Sequence, residues 1–343
     1  MAQRWYESPL SDEGVVISSR VRFARNFEGY AFPGRLTDDG ARHMNNETAR
    51  AVLSDKDGEF KFFDITDNSP ETLLPLMERH VLSKHMVAQR GVKGVILNPS
   101  ENLSVLLNEE DHTRIQAIFP GDNIDGAYAA AAALESLIET RGEAMYAFDH
   151  EYGFLTSCPT NVGTGMRASF MMHLPALEAT GYIVRLLPAL GKFGMTMRGI
   201  HGEGSASMGC VYQLSNQITL GKPENEIILA LKSAASQVIA QEKTTRQKLF
   251  AAHEIKAKDR LFRAYGILTN CYSLDHKEGM SLLSDLRLGY AYDIYDMPRP
   301  KKTTYALMTE IQPGTIQARA GRPLNQEERD VCRADYIRGE LKR

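Results

Sequence analysis

Cys158-Pro159-Thr160-Asn161-Val162-Gly163-Thr164-Gly165-Met166-Arg167 is the stretch on which the reading of this chain turns. It follows a short apolar segment, Gly153-Phe154-Leu155-Thr156-Ser157, read as a strand that delivers the cysteine. It leads into Ala168-Ser169-Phe170-Met171-Met172, part of a further strand from Arg167 to His173. Glycines let backbone N–H groups approach an anion closely. Arginine adds a charged, forked donor that matches phosphate. A cysteine beside such a turn sits where a thiolate is favoured. Taken alone, the run reads equally well as a buried cysteine before an ordinary turn.

Two upstream segments change that balance. Asn108-Glu109-Glu110-Asp111-His112-Thr113-Arg114 gathers three carboxylates, a histidine and an arginine directly after an apolar run. Ser18-Ser19-Arg20-Val21-Arg22-Phe23-Ala24-Arg25 alternates arginine with apolar residues. A strand over Val15 to Phe23 carries Arg20 and Arg22 on one face, because strand side chains repeat every two residues.

Together the three segments resemble the ATP:guanido phosphotransferase (phosphagen kinase) family, and most closely its protein-arginine kinase branch. The resemblance runs from Ser18 to Gly221, and Arg329 to Ala334 extends it. No G-x-x-x-x-G-K-[ST] loop competes with it. It implies an α+β fold: an antiparallel sheet flanked by helices, with a smaller helical domain after it. The texture of the chain changes after Gly221-Lys222-Pro223, and a boundary is expected near Lys243, giving a catalytic domain over 15–243 and a helical one over 244–343. Helices are expected over Asp38 to Leu53, Glu71 to Gln89, Asp125 to Arg141, Pro175 to Leu190 with a break near Gly181 or Pro188, and Gln241 to Leu268. Gly94 to Leu97 and Leu103 to Leu107 read as a hairpin, and Phe193 to Ile200 with Gly209 to Asn216 as a second antiparallel pair.

The chemistry of such a family makes sense of the residues. A guanidinium has a pKa above about 12, so it stays protonated and is a poor nucleophile. Phosphorylating it needs a carboxylate that orients it and takes a proton. It also needs positive charge around the transferring phosphoryl group. The resemblance implies that Glu110 is the orienting base, Glu203 a second carboxylate, and Cys158 a thiolate that positions the guanidinium without attacking anything. Asp111 and His112 would hold the loop by local hydrogen bonds. ATP would be clamped by Arg20, Arg22, Arg114 and Arg167, with Arg198 a further candidate. The matching nucleotide segments also contain Ser18, Ser19 and Val21, then Ala168, Ser169, Phe170 and Met171, then Gly199, Ile200, His201, Gly202 and Glu203. His80 aligns with a histidine near the adenine, though a helix-surface histidine fits equally. Mg²⁺ would bridge the phosphates through phosphate and water ligands, since no metal motif is visible.

The chain departs from the small-guanidine members in two places. Ala206 stands where many carry another glutamate, and His201 replaces an arginine. The segment Arg329-Asp330-Val331-Cys332-Arg333-Ala334 matches an RDxxRA motif that protein-arginine kinases use to bind phosphoarginine. Arg329 and Arg333, four apart, would share a helix face and one phosphate, with Asp330 and Ala334 beside them.

Composition narrows the classes further. Charged residues make up 24% and hydrophobic residues 43% of 343, as in a globular enzyme. A net charge of −3 gives no general attraction to nucleic acid or acidic lipid. The four cysteines, Cys158, Cys210, Cys271 and Cys332, have neither zinc nor disulfide spacing. No apolar stretch approaches the roughly 18 residues of a membrane span, and a cytoplasmic location is expected.

Three functions are weighed: a kinase for protein arginine, a metabolic kinase for free arginine or another small guanidine, and a phosphoarginine-binding adaptor with weak catalysis. Small-guanidine kinases carry a helical domain ahead of the first nucleotide arginine, which here is already Arg20. That favours the first. The resemblance also implies protein substrates with exposed arginines, an activator protein, Clp-type protease machinery and a homodimer.

Overall fold

The structure, a computed structural model, describes residues 3–12, 14–201, 207–292 and 299–342, with the side chain of His201 outside that description. Ten strands are present among these residues: β1 (Val16–Arg25), β2 (Lys61–Asp64), β3 (Gly94–Leu97), β4 (Leu103–Leu107), β5 (Thr113–Pro120), β6 (Phe148–Asp149), β7 (Gly153–Phe154), β8 (Met166–His173), β9 (Met195–His201) and β10 (Ser207–Asn216). The first helices are α1 (Asp38–Leu53), α2 (Pro70–Glu78), α3 (Lys84–Ala88), α4 (Ile124–Arg141), α5 (Pro175–Ala179) and α6 (Tyr182–Lys192). They are followed by α7 (Glu224–Ala252), α8 (Glu254–Asn270), α9 (His276–Ala291), α10 (Thr304–Glu310), α11 (Pro313–Ala320) and α12 (Gln326–Leu341).

Eight strands form one sheet in the order β2-β3-β4-β5-β1-β8-β10-β9, and β6 pairs with β7 in a small ribbon. The register from β2 to β5 is antiparallel, with Val95 opposite Leu106 and Leu106 opposite Arg114. The expected α+β architecture of sheet and flanking helices is therefore present. The chain divides into two compact units: Met1–Trp5, Ser19–Ser169 and Ser215–Lys232 form one, and Tyr6–Ser18, Phe170–Leu214 and Ser233–Arg343 the other. Helix α7 runs without a break through Lys243.

Local chemistry explains the element ends. Thr37 caps α1 by accepting from the Gly40 N–H, and Asn123 caps α4 by accepting from Gly126. Gly181, at φ +66°, separates α5 from α6. The expected helix from Glu71 to Gln89 is instead broken. His80 sits at φ +63°, and Ser83 starts α3 by accepting from the Met86 N–H. Just past the break, Val81 and Leu82 join a small core with Leu73, Met86, Val95 and Leu106. The expected strand over Gly153 to Ser157 shrinks to Gly153–Phe154. Beyond it, Leu155 N–H donates to Ala147 O and Ser157 N–H to Asp111 Oδ1, so the ladder ends. The helix expected over Gln241 to Leu268 breaks at His253.

In the second unit, Glu242 on α7 is fully buried and caps α5, accepting from the Ala176 and Leu177 N–H groups. Arg246 neutralises it at 2.6 Å and donates to His173 O. His173, also fully buried, lies 2.7 Å from Ser284 Oγ. Burial, with Arg287 and Arg246 nearby, pushes the His173 pKa well below its ordinary value.

Candidate active site

Sheet order brings the expected clamp together. β5, β1 and β8 are neighbours, and each contributes arginine from its part in the first unit: Arg114 from β5, Arg20 and Arg22 from β1, Arg167 from β8. The electrostatics register their proximity. The Arg22 guanidinium is held well below its ordinary pKa, first by burial and then by the positive charges of Arg20, Arg114 and Arg167, with Glu109 acting the other way. Its Nε is buried with no hydrogen-bond partner, and among the described residues no ion pair reaches Arg22. Arg167 donates to Ser215 Oγ at 3.3 Å. Like charges packed this way repel unless an anion sits among them. The cluster therefore carries concentrated positive charge.

The acidic loop divides its labour. Asn108 adopts φ +55°, and its N–H donates to His112 O, closing a tight turn. Glu109 is buried, accepting from Arg114 Nη1 at 2.8 Å, from Ser83 Oγ and from the Glu110 N–H. Glu110 meets Arg114 Nη2 at 3.0 Å, yet its side chain is 40% exposed where that of Glu109 is 1% exposed. Only Glu110 of the pair can meet an incoming substrate.

Asp111 does more than a local turn would require. Fully buried, it accepts from Asn26 Nδ2 at 2.8 Å and from the Ser157 N–H at 2.7 Å. The residue after Glu110 is thus bonded to the residue before Cys158, which fixes these two side chains on adjoining loops. His112 Nδ1 accepts from the Phe27 N–H, so its Nε2 carries the proton that reaches Ala31 O. Burial holds its pKa below the ordinary value and keeps it neutral. Both residues act across long stretches of sequence, which the expectation of local bonds missed.

Cys158 is on the surface, with Sγ 3.0 Å from Thr160 Oγ1. Thr219 Oγ1 ties down the turn behind it through Thr160 O and Val162 O. The glycines serve a purpose other than the expected anion cradle. Gly163, at φ +110°, gives its N–H to Phe154 O, and a Cβ there would lie 2.3 Å from Thr219 O. Gly165, at φ +59°, leaves room for Arg25, whose Nη1 would be 2.5 Å from an added Cβ. Arg25 itself is fully buried. It pairs with Glu135 at 2.5 Å, donates to Ala24 O and Thr164 O, and lies 3.5 Å over the Phe154 ring. It anchors the cysteine turn from behind, a role the sequence did not distinguish from that of Arg20 or Arg22.

Other expected residues are placed differently. Ser19 Oγ donates to Gly121 O and accepts from the Asn123 N–H, joining β1 to the start of α4. Val21, Ala168, Ser169, Phe170 and Met171 are buried, as is Ser18. Met171 Sδ also accepts from Tyr305 OH. His80 occupies the break between α2 and α3, not a helix surface; its carbonyl accepts from Gln116 Nε2 and its ring lies 6.1 Å from Trp5. Arg198, exposed, with Gly199, Ile200 and His201, belongs to β9 in the second unit. Gly202, Glu203 and Ala206 lie outside the described residues.

The RDxxRA segment lies on α12, started by a capping box between Asn325 and Glu328. Its two arginines are not equivalent. Arg333 is 1% exposed and donates to Ile311 O, Leu274 O and Asp330 Oδ1. Arg329 is half-buried and donates to Leu324 O. The expected gripping pair is therefore one structural staple and one accessible arginine. Ala334 is fully buried. Beside Arg333, His276 Nε2 is buried without a hydrogen-bond partner.

Among the described residues no group of three or more His, Cys, Asp or Glu side chains stands ready for a metal, and no helix is long and apolar enough to cross a membrane. Four arginines thus gather near a partly exposed carboxylate, and the cysteine turn is tied to the same acidic loop. The family model for the ATP:guanido phosphotransferase C-terminal catalytic domain matches residues 43–245, and that for the protein-arginine kinase McsB C-terminal domain matches residues 254–343. The chain is 42% identical to the protein-arginine kinase of Geobacillus stearothermophilus, covering 98% of this chain and 92% of that one. With the protein-arginine kinase of Clostridium acetobutylicum it shares 39% over 99% of this chain and 100% of the other. The lombricine kinase crystal structure superposes with a TM-score of 0.60 over 70% of this chain and 69% of its own, at 23% identity, a likeness of fold. The chain belongs to the protein-arginine kinase branch of the ATP:guanido phosphotransferases and is a kinase.

Proposed function

We propose that this kinase transfers the γ-phosphoryl group of MgATP to arginine side chains of proteins. The observation that carries the reading is the Asp111 bridge, which sets Glu110 and Cys158 on adjoining loops beside the arginine cluster around Arg22. The polyphosphate answers the charge of Arg20, Arg22, Arg114 and Arg167. Mg²⁺ arrives on ATP, held by phosphate oxygens and water. The acceptor guanidinium lies between Glu110 and Cys158. Glu110 takes a proton from its terminal nitrogen, the freed lone pair attacks the γ-phosphorus in line, and the bond to the bridging oxygen of ADP breaks. The arginines neutralise charge on the transferring oxygens.

Two finer readings follow from the family resemblance. The modified proteins are marked for Clp-type proteolysis with an activator protein as partner, and the Arg329-Asp330-Arg333-Ala334 segment senses phosphoarginine on the helical tail, with Arg329 its accessible arginine. Calorimetry with free phosphoarginine tests the latter: Arg329→Ala loses the binding heat if the reading holds, and keeps it if α12 is only a charged helix. The transfer itself is tested with MgATP and either an unfolded arginine-rich protein or free arginine, reading acid-labile phosphate. Label on the protein with little on free arginine is expected. Comparable kcat/KM for free arginine would return the metabolic kinase, and phosphoarginine binding without transfer would leave an adaptor.

A further inference from the structure

An open groove of about 550 Å³ lies in the first unit against the back of the cysteine turn. Its floor is the close contact of Gly153 with Gly163, and one wall is Thr219 and Leu220. Phe148, Tyr152 and Leu220 line it while 54%, 50% and 49% exposed, an unusual concentration of large apolar side chains open to water. The turn that presents Tyr152 is fixed, because Asp149 Oδ1 accepts from both the Glu151 and Tyr152 N–H groups. The groove is linked by hydrogen bonds to the turn that carries Cys158. Thr219 Oγ1, in its wall, donates to Thr160 O, and Thr160 Oγ1 is 3.0 Å from Cys158 Sγ. Cys158 is five residues from Gly163, so even a fully extended link spans at most about 18 Å.

We infer that this groove holds the polypeptide flanking the target arginine, binding apolar or aromatic side chains of an unfolded substrate a few residues from the acceptor. The inference rests on the protein-arginine reading above and names how that substrate is held. A rigid ring such as Tyr152 offers large contact area at little entropic cost, suited to varied sequences. Glu151, Glu224 and Lys222 all line the groove, so it carries both signs and selects by apolar contact more than by charge. Selection would follow unfolding, since apolar side chains become available only when a substrate loses its core.

The test uses the full chain with Tyr152→Ala and Leu220→Lys, both at exposed positions outside the catalytic set. Steady-state kinetics are read with an unfolded arginine-bearing protein, with the same protein folded, and with acetyl-arginine amide, which is too short to reach the groove. The expected result is a KM for the unfolded protein raised about tenfold, with KM for ATP and turnover of the short compound unchanged. Unchanged KM for the unfolded protein in both variants would overturn the inference. So would an equal loss on all substrates, or a change in light-scattering mass without a KM effect, which would make the face a contact between copies. A wild-type chain that labels no protein arginine would instead remove the functional reading beneath it.

Discussion

Arg333 is fully buried and Arg22 is half-buried with its Nε out of water, yet the two do opposite things. Arg333, in the second unit, spends its donors on two carbonyls and a carboxylate. Arg22, in the first, is surrounded by the like charges of Arg20, Arg114 and Arg167, with a buried Nε that bonds to nothing. A buried charge with its donors satisfied holds a fold together, and a half-buried charge set among its own kind is stabilised only by an added anion. Arg25 sharpens the contrast, because it stands three residues from Arg22 on the same strand yet spends its Nε and Nη1 on Glu135 and two carbonyls, with only Nη2 left without a hydrogen bond.

The largest effect expected is on stability. Arg333→Met strands Asp330 and two carbonyls, and Arg25→Met strands Glu135; each should cost about 3–5 kcal/mol in denaturant unfolding. Either variant melting like the wild type would break the distinction between satisfied and unsatisfied arginines.

The next effect lies in catalysis. Glu110→Gln should reduce transfer about a hundredfold or more with an unchanged melting midpoint, as for loss of a positioned base. Cys158→Ser should lower turnover in the same direction without unfolding the chain. Full turnover by Glu110→Gln would remove it from the mechanism and leave its pairing with Arg114 as a surface ion pair.

A smaller effect is pH-dependent. His173 and His112 are buried with pKa values below that of the unfolded chain. The unfolded state then binds more protons, so stability is full above about pH 6.5 and falls as pH drops below it. Each histidine contributes a slope of at most about 1.4 kcal/mol per pH unit in that window. His173→Gln should flatten the acid limb of a melting-temperature profile. An unaltered limb would place the acid sensitivity elsewhere.

How much of this was legible in the sequence follows the same line between local and distant causes. The β3–β4 hairpin and α1 could be read because alternation, turn residues and the Thr37 cap act within a few residues. The order β5-β1-β8 could not, although the arginines it gathers were already suspect by their resemblance. The break at His80 was hidden because its cause is the packing of Val81 and Leu82 against β3 and β4. Arg20, Arg22 and Arg25 look alike in an alternating run. What separates Arg25 is Glu135, more than a hundred residues away. The Asp111 bridge to Ser157 and the carbonyl partners of Arg333 were equally remote.

One variant bears most directly on the claim that the Arg22 cluster is the nucleotide clamp. Arg22→Met should be titrated with MgATP by calorimetry and melted with and without the nucleotide. The account predicts that its ligand-free midpoint is equal to or above the wild type, since a half-buried charge repelled by its neighbours is gone, while ATP affinity falls at least tenfold and the ATP-dependent rise in melting temperature disappears. Wild-type ATP affinity, or a midpoint that drops as it does for Arg333→Met, would contradict it.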